Sequence, residues 1–516
     1  MPGKKKRTVN LDALILREDF EASDENINSA SKVATISINE LKANSGFFLP
    51  SVRKPDFQRE TADWDVEKVV RFIQSFVNGE FIPAVILWRS QAGFIFVIDG
   101  SHRLSSLIAW ANDDYGDKQF SLDAYEGEVP EEQRKIAKET RDRVNEEIGQ
   151  YNDYITVLSS KHPDSEILIK ARNLASRALP IQWIDGNVET AERSFFNINQ
   201  QAAPIDPVEM KLLKKRKNAN CIAARAIVKG GKGHKYWHNF PSEIQALIEK
   251  RAESIYELLF TPAIERPIKT LDVPICDKSN NALMLIVDLI SNVTEDNDGE
   301  DLDGSATMSC MTKIEKMIQL LNSNYAGSYG LHPILYCYSN RGNFRPASFY
   351  AVIEFVKLLN STPNILDKYI SNRRAFEEYI FNNDYILQRI IDIQRRGASS
   401  AKQIAGYYTE VLDLLSNGKT LDEITNELSK SKKYGRLISV VPDDSDFSAP
   451  DFSRATKSEI FIREAFSSAP RCSICGGLLH QHSISIDHIV RKQDGGLGNP
   501  DNGQLSHPYC NTGVKN

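Results

Sequence analysis

The sequence predicts a multidomain α+β protein: an N-terminal α/β domain, a helical middle domain and a small C-terminal domain organised by a metal. A chain of 516 residues is too long for one hydrophobic core, so several domains are expected. Two adjacent β-rich runs near residue 90 predict buried strands, and amphipathic segments between about 240 and 440 predict helices. Three of the seven cysteines fall after residue 471, which favours a metal site there.

Residues 1–33 are polar and are predicted to form a flexible tail. The net charge of −6 means that any contact with DNA must come from local basic patches. Lys4–Arg7 is one such patch, although a short solvated tail explains it better. Because the chain has neither a long apolar run nor the apolar core of a secretory signal, we expect a cytoplasmic protein without a membrane partner.

An α/β domain is predicted over residues 34–240. The apolar runs Phe81–Trp88 and Gly93–Ile98, separated by a polar turn, predict two neighbouring buried strands. Helical spacing follows at Leu104–Ala111, directly after the second strand, and precedes both strands at Val66–Phe76. Strands mixed with helices in this way indicate an α/β or α+β domain.

A helical domain is predicted over residues 241–440, because amphipathic segments recur there without a fixed repeat period. Its acidic run at 294–304 lacks the full spacing of a calcium loop and is expected to be solvated. Residues 441–456, rich in Asp, Ser and Pro, predict a linker, and residues 457–516 predict a final small domain.

The final domain contains two pairs of metal-ligand residues at short spacing: Cys472 with Cys475, and His507 with Cys510. This pattern suits a closed tetrahedral zinc site, which would supply the folding free energy that so small a core lacks. The four ligands by themselves fit a plain zinc ribbon that only binds a partner equally well.

Between the two ligand pairs, the β-branched run Ile484–Val490 predicts a strand that carries Asp487 and His488. Neighbouring residues on a strand point to opposite faces, so Asp487 could hold a divalent metal while His488 reaches a water. Phosphodiester hydrolysis needs such a hard cation and a base whose pKa is near neutral. A carboxylate and an amide oxygen favour magnesium or manganese as that cation.

The whole segment resembles the HNH, or ββα-metal, endonucleases that are stapled by a zinc knuckle. The resemblance rests on ordered anchors: Cys472, Cys475, Asp487, His488, Gly495, Gly496, Asn502, His507, Cys510 and Asn511. It implies that Asp487 and Asn511 bind the catalytic metal, that His488 is the general base, and that Asn502 braces the loop that orients this base. His507 stands where many members have Cys, and Asn511 where many have His.

Four other polar side chains of this segment are left outside the predicted site. His480 and His482 are expected to be exposed hairpin residues. Arg491 and Lys492 could contact phosphate, but exposed loops often carry such charges.

A second motif lies in the N-terminal domain, where Asp99-Gly100-Ser101-His102-Arg103 joins the second predicted strand to a helix. A strand–glycine turn–helix junction presents backbone N–H groups and the positive end of a helix to an anion. Arg103 and the earlier Arg59 could add bidentate contacts to phosphate. Such turns are also common as purely structural features.

The order of the N-terminal motifs resembles the ParB/sulfiredoxin-like domain of GmrS and of DGQQR or DGQHR proteins. The resemblance spans roughly residues 35–230 and rests on Gln58-Arg59, Trp64, Asp99–Arg103, Phe195–Asn199 and Ala203–Ile205. It implies a nucleotide-binding or nucleotide-hydrolysing domain whose pocket is lined by Asp99, Gly100, Ser101, His102 and Arg103, with Arg59 nearby. The departure is Ser101-His102, where the commonest version has two glutamines.

Together the two resemblances imply a bacterial anti-phage defence endonuclease related to modification-dependent restriction enzymes. The N-terminal domain would bind a nucleoside triphosphate, with modified DNA as a candidate signal, and license cutting of DNA by the C-terminal domain. A single HNH site nicks one strand, so a double-strand break favours a homo-oligomer or sequential nicking; a partner from a defence operon is the other expected protein contact. The alternatives are a regulatory DNA-binding protein whose HNH/zinc fold is only structural, and an NTPase switch.

Overall fold

The structure, a computed structural model, describes residues 8–18, 20, 32–43, 45–55, 58, 61–62, 64–124, 129, 131–160, 165–202, 215–232, 235–278, 282–294, 299–394, 397–438 and 451–514. The chain divides into two compact units. The first comprises Met1–Arg216 with Lys232–Tyr236, and the second comprises Lys217–Gly231 with Trp237–Asn516. Each unit has its own hydrophobic core and is described by itself.

The first unit is built on a mixed six-stranded sheet. Its strands are β1 (Arg17–Glu18), β2 (Thr35–Ser37), β3 (Val52–Pro55), β4 (Val85–Arg89), β5 (Ile95–Asp99) and β6 (Ala178–Ile184). They lie in the order β1-β3-β5-β4-β6-β2. The pairs β1–β3, β3–β5 and β4–β6 are parallel, whereas β4–β5 and β2–β6 are antiparallel. The central strands β4 and β5 fall within the two apolar runs of the sequence, since a strand covered on both faces requires apolar side chains throughout. The first run was predicted too long, because β4 begins only at Val85 and Phe81 is 93% exposed.

Helices cover this sheet and complete the first unit. They are α1 (Phe48–Ser51), α2 (Val66–Asn78), α3 (Ser101–Asn112), α4 (Gln119–Ala124), α5 (Glu131–Glu147), α6 (Tyr151–Leu158), α7 (Ser165–Ala175) and α8 (Val188–Ala202). The main core lies between one face of the sheet and helices that include α2 and α3. A smaller aromatic cluster, which includes Phe20, Trp88, Phe96 and Phe195, lies on the opposite face against α8. The two cores explain why β5 is buried along nearly its whole length.

The second unit is mainly helical. Its helices are α9 (Ala219–Val228), α10 (Ser242–Phe260), α11 (Ala282–Val293), α12 (Ser305–Leu321), α13 (Pro333–Tyr336), α14 (Pro346–Ser361), α15 (Pro363–Asn382), α16 (Asp384–Gln394), α17 (Gly397–Ser416), α18 (Leu421–Lys430), α19 (Gly435–Ile438) and α20 (Arg454–Ser468). Helix α14 is central, because it packs against α11, α12, α15 and α17. Ten of its residues are buried, including Phe349, Phe355 and Val356.

The unit ends in a small ββα arrangement. Strands β7 (Ser485–His488) and β8 (Gly503–Ser506) form an antiparallel ribbon in which Asp487 pairs with Gln504. A short π-helical turn, Cys510–Val514, follows and packs against β7. These strands are too short to bury a core of their own, so the ribbon depends on its neighbours in the second unit for packing.

The predicted mixed α+β architecture is confirmed, including both central strands and the helices that flank them. The prediction for His480 is wrong: its side chain is only 1% exposed. Its ring lies between Asn322 and the carbonyl of Val273, which cover the segment that sequence reasoning took for an open hairpin. The prediction of a flexible tail is wrong for its described part, because Arg17–Glu18 form strand β1 of the sheet and Phe20 is buried against it. The rest of the tail, part of the predicted linker, Arg59 and Ala203–Ile205 lie outside the described residues. No helix among the described residues is long and apolar enough to cross a membrane.

Candidate nuclease and nucleotide sites

Four buried side chains of the second unit converge on one point. The ligand atoms of Cys472, Cys475, His507 and Cys510 all lie within 4.8 Å of one another. His507 Nδ1 is 3.4 Å from Cys475 Sγ and 4.0 Å from Cys510 Sγ. A zinc tetrahedron with arms of about 2.0–2.3 Å has edges of roughly 3.5–3.8 Å, so these separations fit ligands around one ion. The predicted cluster is therefore present, and its donor set fits zinc.

The protein around this cluster orients it for metal binding. His507 Nε2 lies 2.9 Å from the carbonyl oxygen of Leu478, to which it donates, so Nδ1 is the nitrogen available to a metal. Hydrogen bonds from the Cys475 and Cys510 thiols lower the pKa of the Cys472 thiol, which favours its thiolate form. The histidine tautomer matches what a zinc site requires, because the ring nitrogen that faces the cluster carries no proton.

The β7–β8 ribbon divides the predicted catalytic residues between its two faces. Asp487 is buried, and its Oδ2 accepts a hydrogen bond of 2.6 Å from Gln504 Nε2. His488, the next residue, therefore lies on the other face, at the end of β7, and is partly exposed. Ile486 on that face is 60% exposed. The ribbon thus holds a carboxylate inside and presents an imidazole toward solvent.

Asn511 lies on the same face of the ribbon as Asp487. Its Nδ2 donates to Ser485 Oγ at 2.7 Å and to the carbonyl of Ile486 at 3.3 Å. Ser485 and Asp487 are two residues apart on β7, so their side chains point to the same face of the strand. The bond to Ser485 therefore brings Asn511 to the face that carries the Asp487 carboxylate. The backbone N–H of Asn511 also bonds to the carbonyl of His507, which connects this face to the cysteine cluster. The donor set of a carboxylate with an amide fits a hard divalent cation.

Asn502 spans the loop that joins the two strands. Its side chain accepts a hydrogen bond from the Val490 N–H at 2.7 Å and donates to the carbonyls of Val490 and Leu497 at 3.1 and 2.8 Å. Its backbone carbonyl accepts from the N–H of Ile489. A side chain at Gly496 would overlap the Val490 carbonyl, which explains a glycine there. The loop directly after His488 is therefore held by Asn502.

The second predicted site lies in the first unit, where β5 turns into α3. Gly100 is the N-cap of α3 and has φ 92°, a conformation that favours glycine. Arg103 Nη2 and Asp99 Oδ2 form an ion pair of 2.5 Å across one helical turn. Asp99 is 37% exposed and Arg103 only 14%. The turn thus combines an anchored guanidinium with the N-terminus of a twelve-residue helix.

An aromatic stack forms one side of this turn. The rings of Trp64 and His102 are 5.4 Å apart and nearly parallel, with an interplanar angle of 21°. Trp64 also meets Phe72 of α2 edge to face. Ser101 is buried as the first residue of α3. The structure therefore brings Trp64, an anchor of the N-terminal resemblance, to the Asp99–Arg103 turn.

Both ends of the chain match family models. The model of the GmrSD restriction endonuclease N-terminal domain matches residues 38–218. The HNH endonuclease model matches residues 472–516. No curated protein and no solved structure matches the chain.

The ribbon, the helical turn and the cysteine cluster define a nuclease domain of the HNH class. The chain thus combines a domain that matches the GmrSD restriction endonuclease N-terminal domain with a C-terminal domain that matches the HNH endonucleases, a combination that supports a restriction-type DNA endonuclease.

Sequence reasoning missed several residues that shape the nuclease site. Gln504 was recoverable in principle, since the register of a two-stranded ribbon places it opposite Asp487. Arg373 and Glu377 of α15, which contact the cysteine cluster through His507 and Leu478, had no such signal. They lie about a hundred residues away in the sequence, and only the folded structure brings them there.

Proposed function

We propose that this protein cuts DNA with one Mg²⁺ or Mn²⁺ held by Asp487 and Asn511, while zinc on the Cys472–Cys510 cluster serves only structure. The observation that carries the proposal is the bond between Asn511 and Ser485, which gathers the amide and the carboxylate on one face of the ribbon. When bound, the divalent cation supplies charge neutralisation at the scissile phosphate. DNA is the proposed substrate, because its phosphodiester backbone carries the negative charge that such a cation neutralises.

His488 is the proposed general base. The proposal is supported by the position of His488 at the end of β7, next to Asp487 in the sequence and partly exposed on the other face of the ribbon. Asn502 holds the backbone that follows His488, so it acts as a positioning residue for the ring. The base would take a proton from the attacking water, a role that contributes roughly 10²–10⁴-fold to such reactions.

The nuclease proposal is tested by incubating zinc-loaded protein with supercoiled plasmid. We expect nicking only after Mg²⁺ or Mn²⁺ is added, and loss of nicking in Asp487→Asn with the zinc content unchanged. Asp501→Asn, an exposed carboxylate in the same module, is the matched control and should cut as the parent does. Cutting by Asp487→Asn at the parent rate would contradict the assignment of the metal ligand. DNA binding without any cutting would favour the alternative of a regulatory DNA-binding protein.

We further propose that the Asp99–Arg103 turn binds a nucleoside triphosphate and that this binding licenses cleavage. The support is the helix N-terminus at Gly100, the anchored Arg103 and the Trp64–His102 stack, which together offer a phosphate cradle and a flat aromatic surface. Phage DNA with modified bases is the proposed cellular target, in a cytoplasmic defence role. Digestion of modified and unmodified phage DNA with each of four nucleotides present tests both parts: a cutting rate indifferent to nucleotide and to modification would contradict them.

A further inference from the structure

A fully buried ion pair in the helical part of the second unit lies against the cysteine cluster. Arg373 and Glu377 are one turn apart on α15, and both side chains are 0% exposed. Arg373 Nε donates to Glu377 Oε1 at 2.7 Å. Burying two charges is costly, and fold stability rarely requires it. The buried Arg373–Glu377 pair is therefore expected to stabilise a nearby charged group.

The contacts of the pair lead to the zinc ligands. Arg373 Nη1 lies 3.2 Å from His507 Nδ1, the nitrogen that faces the cluster. Glu377 Oε2 accepts a 2.7 Å hydrogen bond from the backbone N–H of Leu478, whose carbonyl holds the other nitrogen of His507. A side chain at Gly477 would overlap the Arg373 guanidinium, so the knuckle backbone is shaped to admit it.

The remaining donors of Arg373 fix its position. Nη1 and Nη2 donate at 2.7 Å to the carbonyls of Tyr329 and Gly330, in the segment between α12 and α13. With these bonds and the Glu377 carboxylate, the guanidinium is held on several sides and cannot turn away from His507. A second cation, Arg471, lies 3.8 Å from Glu377 Oε2 and is 16% exposed on its side chain.

The charges on the two sides of this contact balance. Three cysteine thiolates and one Zn²⁺, with a neutral histidine, leave one negative charge on the centre. Arg373 and Arg471 together with Glu377 leave one positive charge beside it. In a buried environment with a low effective dielectric constant, a single uncompensated charge is strongly disfavoured. The surroundings are thus matched to a three-cysteine, one-histidine zinc centre.

We propose that Arg373 is the counter-cation of the zinc centre, held in place by Glu377, and that it ties zinc binding to the attachment of the nuclease module to α15. This inference rests on the proposed structural zinc. Arg373 acts on the centre through its charge, because zinc would take the lone pair of His507 Nδ1, and it takes no part in the reaction. Outer-shell partners of this kind typically change metal affinity 10–100-fold.

The test is the zinc affinity of the full-length protein, measured by competition with a chromogenic zinc chelator, for Arg373→Gln, Arg373→Lys, Glu377→Gln and Arg374→Gln. Arg374, the next residue, is 68% exposed on its side chain and is the matched control. We expect Arg373→Gln to bind zinc at least tenfold more weakly, and Arg373→Lys, which keeps the charge, to stay within about threefold of the parent. Glu377→Gln keeps an acceptor for Arg373 Nε and leaves the Tyr329 and Gly330 carbonyls in place, so it should retain zinc affinity while lowering the thermal midpoint. Arg374→Gln should change neither.

The opposite behaviour of the two partners separates charge compensation from simple damage to the fold. Equal losses of zinc affinity in Arg373→Gln and Glu377→Gln, or parent affinity in Arg373→Gln, would overturn the inference. Should Arg373→Gln fail to fold, Arg471→Gln removes the less buried cation and is expected to weaken zinc binding severalfold; parent affinity there would count against it. A parent protein that binds no zinc at all would instead contradict the zinc assignment itself.

Discussion

Asn502 and Val490 bind each other through both ends of the asparagine amide: the Val490 N–H donates to Oδ1 at 2.7 Å, and Nδ2 donates to the Val490 carbonyl at 3.1 Å. This paired contact closes the base of the loop between β7 and β8. It acts on His488 through the backbone alone, because Val490 is two residues beyond that side chain. The rate of cutting should therefore depend on a residue that touches neither metal nor water.

We predict that Asn502→Ala lowers the single-turnover rate of DNA nicking about 10–100-fold. The substitution removes three loop hydrogen bonds, each worth about 0.5–1.5 kcal/mol, and releases the backbone after His488. Asn502→Asp keeps only the acceptor oxygen, so its nicking rate should lie between those of the parent and of Asn502→Ala. Asp501→Asn, exposed and outside these bonds, is the control. A parent rate in Asn502→Ala would show that the loop needs no such brace.

We predict that Gly330→Ala weakens zinc binding and lowers the free energy of unfolding by more than about 2 kcal/mol. Gly330 has φ 62°, and an added Cβ would overlap the His507 ring and lie 2.6 Å from Ser483 Oγ. Gly418→Ala is the control, because Gly418 has φ 76° but no atom within 4 Å of the added carbon. Denaturant unfolding and zinc content check both variants. Equal stability losses, with zinc retained in both, would mean that the backbone conformation alone matters at Gly330.

Acid should destabilise the second unit through His480. Burial lowers the pKa of His480 to about 4, from about 6.5 in the unfolded chain, and the nearby Asp272 offsets this only in part. A lowered histidine pKa means that the folded state excludes the proton. The contribution of neutral His480 to the free energy of unfolding is thus fully present above pH 6.5. It declines as the pH falls from 6.5 toward 4, by roughly 3 kcal/mol in all.

The measurement is the thermal midpoint of zinc-saturated protein between pH 7.5 and 5, each variant compared with its own value at pH 7.5. His480→Asn should show a shallower decline than the parent. His238→Asn, which removes an exposed histidine of the same unit, should keep the parent slope. If all three slopes coincide, the pKa of His480 is the same in the folded and unfolded states, and its proposed neutral burial is wrong.

In the first unit, we predict that Arg103→Gln weakens the binding of a nucleoside triphosphate at least tenfold. The change removes the charge that Asp99 anchors beside the N-terminus of α3. Arg71→Gln, on a guanidinium 75% exposed along α2, is the control and should bind as the parent does. Calorimetric titration with each nucleotide checks the affinity. If Arg103→Gln binds the nucleotide as tightly as the parent does, the Asp99–Arg103 turn is not the nucleotide site.

The sequence predicts those parts of the fold that depend on local pattern. The runs that became β4 and β5 are apolar because the sheet is covered on both faces, and Cys472 with Cys475 are spaced for one ion wherever they lie. The Asp487–His488 pair is also local, since strand alternation alone separates its two side chains. Short-range rules therefore recover the central strands and the ligand set.

Contacts between distant segments were out of reach. His480 was expected to be exposed, yet Asn322 and Val273, more than 150 residues earlier in the chain, cover it. In the same way, no pattern around Arg373 distinguishes it from the exposed Arg374 beside it. Which arginine of an amphipathic helix is buried depends on what packs against that helix, and this is a property of the tertiary structure.

The most direct test of the account is the nicking of supercoiled plasmid by His488→Ala under single-turnover conditions, with zinc-loaded protein and added Mg²⁺ or Mn²⁺. His482→Ala, a histidine of the same module outside the proposed site, is the matched control. We predict that His488→Ala keeps its zinc and its thermal midpoint but nicks roughly 10²–10⁴-fold more slowly, while His482→Ala stays near the parent rate. A His488→Ala protein that nicks as fast as the parent would contradict the assignment of the general base.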